Sequence, residues 1–215
     1  MKVAPPRESP PALVDLETTG PEAALNTEGT DGLRIEDAVL DGVTRRGVSY
    51  RETEFIRACA SRAAFNNCRF LDVRFDGLDA PDLEASRSTL RDVEIAHSRL
   101  GSMDLYGSTV SGVRLSHCKI RLLGLHSAQV QDLIVEHCTI DELDLSEAVA
   151  ARLAFRDATI GLLRLRDSRM SHVDLRTCRF DGADPIAGLR GCLITGAQLL
   201  DLAPSLASAL GILVD

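Results

Sequence analysis

From Ile35 to Phe180, every fifth residue of this chain is apolar or aromatic, and the only exception is Arg45. All six Phe lie on that series. Chance would put them there about once in 15,000 trials, and counting matches is the proper test of a period. Two residues before each member runs a second non-polar series. From Leu83 it alternates large and small: Leu83, Ser88, Val93, Ser98, Met103, Ser108, Val113, Cys118, and so on to Cys178. The other three positions of each five are mostly polar. Neither a helix, at 3.6 residues per turn, nor a strand that alternates every residue produces this pattern.

The large and small alternation means that neighbouring fives differ and alternate fives match. A square coil has that property, with 20 residues per turn. Surface charge gives the same number independently. Arg34, Glu54, Arg74, Glu94 and Arg114 are spaced by 20 and alternate in sign. Stacked at the strand spacing of ~4.8 Å, each would face opposite charges above and below, worth a few tenths to ~1 kcal/mol per pair.

On these residues the chain resembles the pentapeptide repeat family, whose unit is a small residue, often Asp or Asn, then Leu or Phe, then two polar residues. The nearest matches are "AVLDG" (38–42), "MDLYG" (103–107), "LDLSE" (143–147), "VDLRT" (173–177) and "CRFDG" (178–182). The resemblance covers roughly 33–184. This chain departs from the family in placing Leu or Val where a small residue is commoner. The resemblance implies an all-β solenoid, a right-handed quadrilateral parallel β-helix of about 7–8 coils. We therefore expect a disordered or loosely attached leader over 1–30, a β-helix over 31–187, and a helical cap or dimerisation segment over 188–215.

Composition narrows the function classes. Hydrophobic residues make up 45% of the 215, enough for a core, with aromatics at only 4% and no Trp. A net charge of -8 argues against direct binding of nucleic acid through its phosphates. No apolar run reaches the length of a membrane span, and the first residues lack the apolar stretch of a signal peptide. A cytoplasmic protein with reduced Cys is expected. No Ser-His-Asp set, phosphate loop or HExxH motif is present, so no enzyme activity and no cofactor are expected.

Two short repeats, "LSHCKI" from Leu115 and "VEHCTI" from Val135, invite a metal reading. The period denies a mixed site, because Cys118 and Cys138 fall on the inward series and His117 and His137 point outward. His97, His117 and His137 share one column, with Asp157 next. A straight column at ~4.8 Å does not converge like a tetrahedral shell, so metal binding there is the weaker alternative to a ladder grown by duplication.

The segment from Thr195 reads as helix, capped by Thr195 and stopped at Gly211, with Pro204 expected to split or kink it. Leu199, Leu202, Leu206 and Leu210 form its apolar stripe, and residues 212–214 suit a short strand. The stripe would cap the coil, or join two copies as the resemblance implies for some members.

The primary expectation is a non-enzymatic scaffold with a protein partner. The alternative comes from the resemblance: some members imitate duplex DNA and bind DNA gyrase or topoisomerase IV, giving quinolone protection. Acidic columns exist for such a role, with Glu52, Asp72, Asp92 and Asp132 in one and Glu84, Asp104 and Asp144 in a weaker one. A rod of ~37 Å would need about 22 negative charges to match B-DNA. Residues 33–187 carry 24 acidic and 21 basic groups, close to neutral. No membrane partner is expected.

Overall fold

The computed structural model describes residues 3–213. The chain winds as a parallel β-solenoid of about 9 turns with one C-terminal helix. Its strands form two sheets, of eleven and eight strands, and from Thr44 onward successive strands alternate between them. From residue 29 to 184 the register is 20 residues at every step: Val93 pairs with Val113, Val113 with Leu133, Leu133 with Leu153, and Leu153 with Val173. The expected 7–8 coils fall short because two end rungs lack the apolar period. Glu17–Thr19 pairs with Leu33–Ile35 at one end, and Cys192–Leu193 extends the sheet at the other.

Corners recur every five residues. In the long sheet, eight-residue strands such as Arg69–Asp76 bend at a residue with positive φ, here Asp72 at 56°. Residues 77, 87, 92 and 97 turn in the same way, whereas Asp82 does not. Three corners of each full turn through the middle of the coil are therefore left-handed, and the fourth, at 102, 122, 142 and 162, is not. Left-handed backbone favours Gly, and after it Asn, Asp and His.

Both inward series are buried as the period requires, in one continuous core running from Ala24 to Cys178. Tyr50 stacks on Phe70 at 5.1 Å and Phe55 on Phe75 at 4.9 Å between ring centres. The small inward residues also carry polar work that the period alone did not suggest. Ser88 Oγ accepts from Cys68 N–H, Ser98 Oγ from Leu78 N–H, and Ser108 Oγ from Ser88 N–H. Cys138 Sγ accepts from Cys118 N–H. Each partner lies one turn away, so a small polar side chain supplies an acceptor to a buried amide that otherwise goes unpaired.

The expected charge ladder forms over its first three steps. Arg34 meets Glu54 at 2.7 Å, Glu54 meets Arg74 at 3.5 Å, and Arg74 meets Glu94 at 3.8 Å. Arg114 turns away to Glu136 and Glu8.

The leader differs from its expected loose state. The 3-10 turn Pro21–Leu25 covers the open end of the coil, with Ala24 buried. Arg45, the one charged member of the fivefold series, donates from Nη2 to Leu25 O at 2.6 Å and so joins this cap. Residues 3–14 lie along the outside of the coil. Local composition predicted disorder, but the partners that hold this stretch lie 60 to 168 residues away.

At the other end, Thr195 caps the helix Gly196–Ala209 through a reciprocal pair with Gln198. The Gln198 amide donates to Leu175 O and Cys178 O, both at 2.7 Å, and so closes the last coil. Pro204 does not split the helix as expected. It sits exposed inside a single 14-residue helix, on the solvent side, where water can satisfy the carbonyl of Leu200 that it leaves unbonded. Gly211 ends the segment at φ 70°. No strand forms at Ile212 or Leu213, and Val214 lies outside the described residues.

Candidate interaction surface

The first acidic column occupies one line of corners. Glu52, Asp72, Asp92, Gly112, Asp132, Arg152 and His172 all have positive φ. Backbone conformation thus accounts for much of its Asp, Gly and His content.

These residues are not a free acidic face. Asp132 is buried at 5% exposure. Its Oδ1 and Oδ2 accept from Arg152 at 2.6 and 2.8 Å, and its Oδ1 also accepts from Arg7 N–H at 2.9 Å. The Arg152 guanidinium holds this carboxyl down at about 2. Asp72 Oδ1 accepts from Ala12 N–H at 3.0 Å, and His172 Nδ1 accepts from Ala4 N–H at 3.2 Å. Glu8 reaches Arg114 at 3.0 Å and Arg156 at 3.1 Å, and these two arginines lower its carboxyl. Asp92 stands 3.9 Å from Arg91, and Glu52 is exposed.

The second acidic column has a local task. Asp104 Oδ1 accepts from Tyr106 N–H and Asp144 Oδ1 from Ser146 N–H, both at 2.8 Å. Such bonds, from a side chain to the amide two residues on, shape a turn. Glu84 accepts from Asn66 at 2.9 Å.

His97, His117 and His137 do stack, with centroids 5.4 and 4.9 Å apart and planes 10° and 17° from parallel. Parallel rings aim their nitrogens side by side, and His97 Nδ1 lies 2.9 Å from Asp76 Oδ1. Among the described residues no group of three His, Cys, Asp or Glu is arranged to hold a metal ion. Cys118 and Cys138 are buried on the inward series, and burial pushes the Cys178 and Cys192 thiols up to about 12.

Inside the coil, a cavity of about 30 Å³ is lined by Tyr50, Phe55, Phe65, Phe70 and other apolar side chains. Its lining presents an apolar surface, and an apolar cavity of this kind stays dry. On the C-terminal helix, Leu202 is buried and Leu206 half-buried against the coil. Leu199 (50%), Leu200 (75%), Leu210 (75%) and, beyond the helix, Leu213 (97%) are exposed. The stripe named from sequence is thus split between cap and surface. Among the described residues no helix is long and apolar enough to cross a membrane.

No family model and no curated protein matches the chain. Among solved structures it is similar to full-length QnrB1, a plasmid-mediated fluoroquinolone resistance protein, with 17% identity over 83% of this chain and 100% of that one and a TM-score of 0.36. It is also similar to HetL, a pentapeptide repeat protein involved in heterocyst differentiation regulation from the cyanobacterium Nostoc. That match has 13% identity over 80% of this chain and 94% of that one, with a TM-score of 0.26. These scores are low, and the fold stands on the chain's own register and pairing.

Proposed function

We propose that this chain, a pentapeptide-repeat β-solenoid, is a non-enzymatic scaffold that holds protein partners on its walls. The observation that carries the reading is the filled interior. The coil packs two apolar series into one continuous core, so chemistry is confined to the outer walls. There the side chains stand in straight columns set by the 20-residue register, which favours extended contact over convergence on a small substrate.

A second copy is one partner on this reading. The exposed Leu199, Leu200, Leu210 and Leu213 form an apolar end that supports pairing through the C-terminal segment.

A narrower reading makes the rod an imitator of duplex DNA that binds DNA gyrase or topoisomerase IV. Its support is the acidic corner column. Weighing against it are the near balance of 24 acidic and 21 basic groups over 33–187 and the leader lying on that column. The test is supercoiling by purified gyrase, with and without a quinolone. Inhibition or protection that disappears in Asp72→Lys with Asp92→Lys would replace the general scaffold reading with the narrower one. No effect at tens of micromolar would retire the topoisomerase reading. The general reading is tested by placing a photo-crosslinking residue at Lys119 or Arg179, both exposed on the shorter sheet. Further probes go at Arg69 on the longer sheet and at Leu213; a discrete crosslinked partner in cells supports the reading, and crosslinks to nothing from any of these positions would contradict it.

A further inference from the structure

Residues 3–14 give nothing to the core, which begins at Ala24. They are nevertheless held at three points along one line of corners: Ala4 at His172, Arg7 at Asp132, and Ala12 at Asp72. The spacing of these points matches two independent pitches. Three residues of polyproline II cover ~9.3 Å, and the two turns between His172 and Asp132 cover ~9.6 Å. Five residues cover ~15.5 Å, and the three turns between Asp132 and Asp72 cover ~14.4 Å.

The leader's sequence suits this use. Pro5-Pro6 and Pro10-Pro11 pre-set an extended chain with little ordering cost. Prolines have no N–H, and the three donating amides flank the two pairs: Ala4 before the first, Arg7 after it, Ala12 after the second. Between the pairs, Glu8 sits within reach of both Arg114 and Arg156.

The seat is built by the coil itself. Arg152 fixes Asp132, and the corner backbone orients Asp72 and His172. Ser9, Pro10 and Pro11 line a small groove with Gly112, where the column lacks a side chain. What this seat reads is generic: three backbone N–H groups in an extended chain, prolines between them, and one carboxylate.

The hold is weak in energy. Three hydrogen bonds and two exposed ion pairs each add little net free energy. A free peptide with these contacts would bind at about 0.2 mM or weaker. The leader stays seated because its tether gives an effective concentration of order mM.

We infer that this corner column is a peptide-binding track, filled in cis by the leader, on which a partner protein docks an extended segment of two proline pairs flanking a carboxylate. The inference rests on the protein-binding reading and assigns it one wall and one class of partner. Displacing the leader is then part of docking.

The test uses the full chain, folded and then cut at a protease site inserted between Val14 and Asp15, where Val14 is exposed. The probe is a fluorescent peptide of residues 2–13, followed by anisotropy. The cut chain binds it in the high-micromolar to millimolar range, and the uncut chain binds it several-fold more weakly, the factor expected from a tethered competitor at about 1 mM. The peptide carrying Glu8→Arg loses most of its binding to the cut chain and recovers it on cut Arg114→Glu with Arg156→Glu. Equal binding to cut and uncut chains, no binding to the cut chain, or indifference to the charge reversal would overturn the inference. So would a concentration-dependent dimer of the uncut chain in which leaders are exchanged, because the occupant would then be a second copy. A failed peptide test with successful crosslinking on the shorter sheet would leave the scaffold reading intact and remove only the track.

Discussion

At three of the four corners of each turn a residue in this coil must accept a left-handed backbone, and what its side chain does comes second. Gly112 shows both demands. Its φ is 65°, and a Cβ there would stand 2.4 Å from Asp92 Oδ1. Gly112→Ala should cost ~1–3 kcal/mol through backbone strain, read as a lower midpoint in urea with an unchanged slope. Tyr50 presents the opposite case. Its hydroxyl is buried without a hydrogen-bond partner among the aromatic rings, and burial raises its pKa. Leaving such a group unpaired costs ~1–3 kcal/mol. Tyr50→Phe should therefore raise the melting temperature, although it removes a polar group from a packed core. A fall of several degrees would mean that the hydroxyl has a partner after all. Sequence reasoning found the inward positions but missed the acceptor role of Ser88, Ser98 and Ser108, because the partner amide lies one turn away. Recognising that small inward residues are often Ser or Cys, placed 20 apart, was the available signal.

At the scale of elements, the leader and the C-terminal segment are the parts whose fate depends on more than the period. The leader's anchor at Asp132 is sensitive to acid. Its folded pKa of about 2 lies below the ordinary ~3.9 of an unfolded Asp. A depressed carboxylate contributes stability above the unfolded value and loses it as pH falls through the folded one. The contribution is ~3 kcal/mol at most. The stability gap between the wild type and Asp132→Asn should hold from pH 7 to about 4 and shrink toward pH 2, measured by denaturant titration at each pH. A gap that widens on acidification would show that Asp132 is not held as an anion. The C-terminal segment makes a separate prediction. Leu210→Glu with Leu213→Glu leaves the buried Leu202 untouched, so the coil should keep its stability while any dimer dissociates in sedimentation analysis. Unchanged sedimentation of a dimer would place the interface elsewhere. Pro204 was expected to split or kink this helix, and the helix runs through it unsplit. The expectation counted the lost hydrogen bond but not the solvent exposure that lets water replace it.

For the whole molecule, the coil was legible because its repeat is local. Every five residues form one side, every 20 form one turn, and the charges of Arg34, Glu54 and Arg74 repeat the count on the outside. The ends were less legible. Glu17–Thr19 and Cys192–Leu193 add rungs by backbone pairing with no apolar period to announce them. The candidate surface was half legible. The acidic column is where the sequence put it, but the leader's place upon it depends on three contacts across 60 to 168 residues of separation. That placement changes the functional reading, because a column already holding backbone amides is a seat for an extended chain and a poor copy of a phosphate strand. The most direct measurement is amide hydrogen exchange of the intact chain, read residue by residue at Ala4, Arg7 and Ala12. The account predicts protection at all three, with Asp72→Ala releasing Ala12. Exchange of all three at free-peptide rates, with the coil amides still protected, would contradict it.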